Sequence, residues 1–275
     1  MSNVKEQIEA LSTKAEDIVD RIGQPLKPYI PAISRFLIIA TFIEDSLRII
    51  AQWKDQLLFM QEVRSFPRGL SHLFLGLNVL VMLSASSLIM AKKHQAYAVY
   101  GLMGVIICQA FGYGLLFDAS FFLRNLSVLG GLVMVLSETM VKRKQMFAAL
   151  PQLSETDRRM YLQLAGRVLL IFLFLGSAFH GRWSFIRVAG SFLGLAACIM
   201  VAVGFKARWS AMFLVLFLSV LNIFINNFWS VKHSQFMRDF LRYDFFQSLS
   251  ALGGFLLLIS IGPGGLSYDE KKKEF

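Results

Sequence analysis

The sequence predicts an all-α fold: a polytopic transmembrane helical bundle of about eight spans, built as two parallel four-span repeats, with an amphipathic helix at its N-terminus. Three observations predict it. Of 275 residues, 56% are hydrophobic and only 17% charged, whereas a soluble domain carries about 25% charged residues. The apolar residues fall in blocks close to the roughly 20 residues that cross a bilayer as a helix. Two stretches of the first half also recur, in the same order, in the second. A soluble fold of this length could not hide so much apolar surface.

The first segment, residues 1–28, is polar. Val4, Ile8, Leu11, Ala15, Ile18 and Ile22 recur at steps of three and four, with Lys5, Glu6, Glu9, Lys14, Glu16, Asp17 and Asp20 on other faces, the pattern of an amphipathic helix. Gly23, Pro25, Pro28 and Pro31 stop it. Its mixed charge favours a lid packed on the cytosolic face of the bundle over an interfacial or partner-binding helix. No cleavable signal peptide is legible there, so the first span is expected to serve as its own insertion signal.

Spans are expected at about 34–51, 70–91, 96–116, 121–137, 166–180, 188–204, 209–229 and 244–261. Only Asp118 and Arg124 interrupt the apolar stretch joining the third to the fourth. The repeat groups these spans. Arg35-Phe-Leu-Ile-Ile-Ala-Thr-Phe42 lines up with Arg167-Val-Leu-Leu-Ile-Phe-Leu-Phe174, and Leu126-Ser-Val-Leu-Gly-Gly131 with Leu249-Ser-Ala-Leu-Gly-Gly254. An aromatic-Asp pair, Phe117-Asp118 or Tyr243-Asp244, precedes each of the latter two. The expected organisation is a first repeat over 29–138, a charged cytosolic linker over 139–160, a second repeat over 161–262 and a cytosolic tail over 263–275. Four spans return the chain to its starting side, so the two halves share one orientation. Gly130, Gly131, Gly253 and Gly254 are expected to allow close helix contact within each half.

Orientation follows from Lys and Arg. With both ends in the cytosol, 17 of the 28 basic residues fall on the cytosolic side and 9 on the other, Arg48 and Arg167 lying within spans, as the positive-inside rule requires. The net charge of +10 therefore reads as topology and contact with anionic membrane lipids, with no nucleic-acid partner implied.

Charged groups inside spans give the sharpest functional signal, because at that depth they face a protein interior or a wet cavity. In the first span Glu44 and Arg48 stand four apart and can pair, with Asp45 about 100° round the helix from Glu44. Two carboxylates against one guanidinium leave a surplus negative charge. Asp118, Asp239 and Asp244 also fall near lumenal span ends. An acidic recess there could hold a cation such as a peptide α-amine, while an internal ion pair that fixes packing is the structural alternative. The positions matching Glu44 and Asp45 in the second repeat are Gly176 and Ser177, so only one half keeps the acids.

Other polar residues suit structural roles. Asn222, Asn226 and Asn227, and likewise Arg124 and Asn125, are expected to hydrogen-bond between helices. Arg35 and Arg167 open their spans and are expected to snorkel to lipid phosphates. Cys108 and Cys198 sit in apolar spans without a Cys-x-x-Cys pairing, and His72, His94, His180 and His233 have no ligand spacing. No metal, cofactor or catalytic constellation is expected, and the chain is not expected to be an enzyme. The tail ends Lys272-Lys273-Glu274-Phe275, which resembles the dilysine signal read by the retrograde vesicle coat, with Lys three and four places from the carboxyl end.

Several longer motifs carry a wider resemblance: Thr41-Phe42-x-Glu44-Asp45-x-x-Arg48 with Gln52-Trp53; Arg124-Asn125-Leu126; Met160-Tyr161-x-Gln163-Leu164-x-Gly166-Arg167-Val168-Leu169; Gly204-Phe205-Lys206; Tyr243-Asp244-Phe245-Phe246-Gln247; and Gly262-Pro-Gly-Gly265 followed by Asp269-Glu270 and the lysines. Over nearly its whole length the chain resembles the surfeit locus protein four family of endoplasmic reticulum cargo receptors. The resemblance implies a protein that cycles between endoplasmic reticulum and Golgi and binds soluble secretory cargo in the lumen through short motifs near the cargo's N-terminus. It implies loading into anterograde vesicles through COPII subunits and retrieval by COPI subunits through Lys272 and Lys273. It supplies no list of cargo contacts, and homo- and hetero-oligomers both stay open. Joined to the polar residues above, it makes Glu44, Asp45, Arg48, Asp118 and Asp244 the candidate cargo-binding residues. A transporter or scramblase for a small solute or lipid of the early secretory pathway is the alternative.

Overall fold

The computed structural model describes residues 27–115, 118–146, 153–179, 185–205, 207–231, 235–262, 264 and 267. The amphipathic helix expected within 1–28 and the lysines Lys272 and Lys273 lie outside the described residues.

Helix α1, Ile30–Ala51, starts with Pro31 in its first turn, where a fixed φ and a missing N–H carry no penalty. A kink at Gln52 separates it from α2, Trp53–Leu58, which runs on into a π-helical turn over Phe59–Val63. Pro67 precedes α3, Arg68–Met90, and a turn through Lys92 and His94, both with positive φ, leads into α4, Gln95–Gly112. Asp118 Oδ1 accepts the Phe121 N–H at 3.1 Å, capping the start of α5, Ala119–Met146. Helices α6 (Leu153–Phe179), α7 (Phe185–Val203), α8 (Ala207–Ile225) and α9 (Gln235–Ile261) complete the chain, with a 3-10 turn at Phe228–Ser230 before α9.

Each of the eight expected blocks falls mainly on one long helix, the third running past its end at Gly112 and the seventh past its end at Ile225. By length and composition alone, α3, α4 and stretches of α5, α8 and α9 are apolar enough to cross a membrane. Helix α1 is not in that group, because Arg35, Glu44, Asp45 and Arg48 interrupt it. Exposed apolar side chains run in helical rows: Leu216, Val220 and Phe224 on α8, spaced four apart, are 70%, 53% and 73% exposed. A helix that is apolar on its outward face as well as its buried one has lipid as its solvent.

The most extensive contacts are α5 with α6 and α9 with α1. Helices α1 and α9 run antiparallel, so the start of α1 meets the end of α9 at what we call the terminal end, and the end of α1 meets the start of α9 at the far end. Between them lies a core that includes Ile38, Leu132, Val135, Leu170, Leu252 and Phe255, all at most 4% exposed. Glycines set the closest approaches. A Cβ at Gly253 would lie 2.6 Å from the Ser34 carbonyl oxygen, and one at Gly130 would lie 2.9 Å from Leu169 Cβ. Both contacts cross between the segments expected to form separate repeats, so these two glycines do not serve contact within each half as the sequence suggested. The reason is the swapped packing: α5 lies against α6, and α9 against α1.

The terminal end overturns a second expectation. Arg35 and Arg167 are 1% and 0% exposed and do not snorkel. Arg35 Nη1 instead pairs with Glu138 Oε1 on α5 at 2.5 Å. The acid one helix away answers the charge inside the protein and removes the need to reach the lipid phosphates.

Candidate functional site

At the far end, the last turns of α1 meet the first turns of α9, the end of α4 and the start of α5 around a cavity of about 550 Å³. Four carboxylates (Asp45, Asp55, Asp118 and Asp239) and two guanidiniums (Arg48 and Arg124) line it. Phe59, Tyr113, Phe121, Phe240 and Tyr243 supply aromatic walls between them.

Hydrogen bonds decide which charges are committed. Arg48 pairs with Asp45 Oδ1, three residues back on the same helix, while the other Asp45 oxygen accepts Gln109 Nε2 from α4 at 2.6 Å. Arg124 pairs with Asp244 across the α5–α9 contact and lies 5.6 Å from the centre of the Phe240 ring. Asp239 accepts Gln52 Nε2 at 2.9 Å. Both guanidiniums lining the cavity are therefore held by acids, and the lining keeps a surplus of negative charge.

The expected Glu44–Arg48 pair does not form. Glu44, whose side chain is 2% exposed, faces Arg242 Nε of α9 at 3.0 Å, and Arg48 turns to Asp45. The sequence could not show that α9 brings another guanidinium onto the Glu44 face of α1. Of the five candidate residues, the structure brings Asp45, Arg48 and Asp118 to the cavity. It sets Glu44 and Asp244 behind it in ion pairs of the wall.

Gln52, Gln56, Gln109, Tyr113 and Tyr243 were missed as lining residues. Gln109 and Tyr113 stand four apart at the end of an apolar span, a polar i,i+4 pair that could have signalled a wet face. Asn222 and Asn226 bond to α9 as expected, through the Phe245 carbonyl at 3.1 Å and Ser248 Oγ at 3.5 Å. Asn125 bonds to the Phe121 carbonyl of its own helix at 2.8 Å and, as expected, also across to the Tyr243 side chain of α9. Among the described residues no group of His, Cys, Asp and Glu is placed to hold a metal ion.

The segment from α2 through the π turn forms one side of the cavity mouth. Its Phe59 stacks on Tyr113 with ring centres 5.9 Å apart, and the Tyr113 hydroxyl donates to Gln56 Oε1 at 2.9 Å. Arg64 ties the segment down, donating to the Gly112 carbonyl at 3.0 Å and the Phe111 carbonyl at 3.4 Å, at a helix C-terminus where a cation is favoured. Arg64→Met should therefore loosen this wall by about 1.5 kcal/mol. Hydrogen exchange should show it as roughly tenfold faster opening of amides over 59–66, with α8 unchanged.

These elements are built from the motifs that sequence reading singles out: Glu44-Asp45-x-x-Arg48 and Gln52 on α1 and beyond, Arg124 on α5, Tyr243-Asp244 on α9. A family model described as the SURF4 family matches residues 9–275. The chain belongs to the SURF4 family. It is 50% identical over 252 residues to the Surfeit locus protein 4 homolog of Schizosaccharomyces pombe, covering 90% of this chain and 83% of that protein. It is 39% identical over 272 residues to the ER-derived vesicles protein ERV29 of Saccharomyces cerevisiae, covering 98% and 86%. It is 36% identical over 262 residues to the Surfeit locus protein 4 homolog of Drosophila melanogaster, covering 95% and 97%. No solved structure matches this SURF4 chain.

Proposed function

We propose that this SURF4 chain is a cargo receptor of early secretory membranes. It binds soluble secretory proteins in the far-end cavity, concentrates them into anterograde vesicles through COPII subunits, and returns through COPI subunits reading Lys272 and Lys273. The observation that carries this reading is the acidic, aromatic-walled cavity, in a chain similar to a protein named for ER-derived vesicles. Binding, rather than catalysis, is the role these groups suit. Both chain ends lie in the cytosol in this reading, which puts the far end in the lumen, consistent with the Lys and Arg bias.

The ligand group is the α-amine at the N-terminus of a mature cargo protein. Asp118 and Asp239 receive it, and the aromatic walls take the first side chains. Asp45 and Arg48, locked to each other and to Gln109, form the floor. The test is capture of secretory proteins by the purified full chain, comparing cargo with free and with N-acetylated N-termini. Wild type should prefer the free amine, and Asp118→Asn/Asp239→Asn should lose about tenfold in affinity for it, or about 1.4 kcal/mol. Equal capture of both cargo forms by wild type would remove the amine from the account. Lipid or solute movement by the purified chain in liposomes, with no cargo capture, would favour the transporter reading instead.

A further inference from the structure

One wall of the far-end cavity is built differently from the others. Asp55, Gln56 and Phe59 come from the short arm formed by α2 and the π turn, whereas the other lining residues belong to the long helices or lie beside their ends. Helix α2 buries none of its side chains, and of the π turn only Met60 is buried, at 0% exposure. A segment with so few buried groups belongs to the low end of local stability. Backbone breaks bound it on both sides. Gln52, at φ −108° and ψ +30°, departs from helical geometry where α1 ends, and Ser65, at φ +55°, is left-handed two residues before Pro67. Hinges fall at such element ends, and π-helical turns are rare and concentrate at functional sites.

What holds the arm is a seat at the end of α4. Tyr113 holds its middle, donating its hydroxyl to Gln56 and stacking its ring on Phe59. Arg64 holds its far side, donating Nε to the Gly112 carbonyl and Nη2 to the Phe111 carbonyl. The seat is shaped for this. Gly114 has φ +70°, and a Cβ there would collide with the Arg64 guanidinium; glycine meets both needs at once. Gly112 leaves room in the same way for the Phe74 ring, which meets Tyr113 and Phe66 edge-on. None of the latching hydrogen bonds is fully buried, so water can replace each at small net cost. The Arg35–Glu138 pair, sealed in the bundle, has no such freedom.

We propose that residues 53–66 form a gate on the cavity. The arm pivots at Gln52 and Ser65 when Tyr113 and Arg64 let go, and the cavity opens on that side. An occupant that touches Asp55 and Phe59 on the arm together with Asp239 and Tyr243 on α9 bridges gate and bundle and holds the gate shut. Entry and exit are then governed by the latch on α4 rather than by the cavity floor. The inference needs only the cavity and the arm, and it does not depend on what the cavity binds.

The test reads access to the cavity floor with no ligand present. Gln109→Cys, at a residue bonded to Asp45, is made in the full chain together with Cys108→Ser, and the chain keeping only the buried Cys198 gives the background rate. The probe is a trimethylammonium-ethyl methanethiosulfonate, a cation suited to the acidic lining. Its labelling rate follows the open population as long as closing is faster than labelling. Arg64→Met should raise that rate roughly tenfold, and Tyr113→Phe, which keeps the ring stack and loses the hydrogen bond, about threefold. Gly114→Ala should raise it too, by displacing Arg64 while leaving that side chain intact. Lys92→Cys, on the exposed turn at the other end of α4, should label equally in every background, and amide exchange in α8 should stay unchanged. If the latch variants speed exchange over residues 53–66 without speeding labelling, the arm moves but does not gate, and the proposal falls. It falls equally if neither rate responds.

Discussion

Arg35→Leu should lower the unfolding free energy by about 3–5 kcal/mol, the largest loss expected from a single exchange in this chain. The loss comes from breaking a buried ion pair from one side: Arg35 and Glu138, 1% and 5% exposed beside the bundle core, lose their contact. Unfolding of the purified protein in detergent, followed by helix content, measures it. The informative comparison is the double exchange Arg35→Leu/Glu138→Leu, which removes both charges. It should recover most of the lost stability, since well-packed apolar replacements of a buried pair are often neutral or better. A double variant as unstable as the single one would show that the pair is not the source of the effect. The far-end pair of Arg124 and Asp244 should respond in the same sense but less, because each of those side chains keeps a tenth or more of its surface exposed.

Gly253→Ala is the second large effect, and its cause is steric. The added methyl would sit 2.6 Å from the Ser34 carbonyl oxygen and 2.9 Å from the Ile38 nitrogen. Both obstacles are backbone, which cannot rotate away, so α1 and α9 must separate along their shared seam. Overpacking of this kind costs about 1–3 kcal/mol. Gly104→Ala is the control: nothing lies within 4 Å of its added methyl, and in a helix interior alanine is intrinsically favoured by about 1 kcal/mol. Thermal unfolding should therefore fall for Gly253→Ala and hold or rise for Gly104→Ala. Equal behaviour of the two would remove the seam from the account.

The sequence showed where helices lie because membrane-crossing segments carry their signal locally, in unbroken apolar runs. It showed that Glu44, Asp45 and Arg48 matter because charge at that depth is rare. Partner choice was not legible in the same way. Glu44 and Arg48 have ideal spacing for pairing, yet Arg242, nearly 200 residues away in the chain, takes Glu44. The same limit hid Glu138 as the answer to Arg35. Aromatic and amide residues of the cavity, such as Tyr113 and Gln109, were passed over because each looks unremarkable in its own span. Only convergence of four helix ends makes them a lining. The glycines were recognised as sites of close contact, but which helix each meets depends on α5 crossing to α6 and α9 returning to α1.

That return has a consequence for how the protein is made. Of the described helices α1 is synthesised first and α9 last, yet they form one of the two most extensive helix contacts. Until α9 arrives, Glu44 has no Arg242, and the Ser34 face of α1 has no Gly253 to close against. A ribosome-bound intermediate therefore keeps Glu44 and the Ser34 face of α1 without their α9 partners until the end of synthesis. The step most exposed to quality control is the final closure, when the last helix docks on the first.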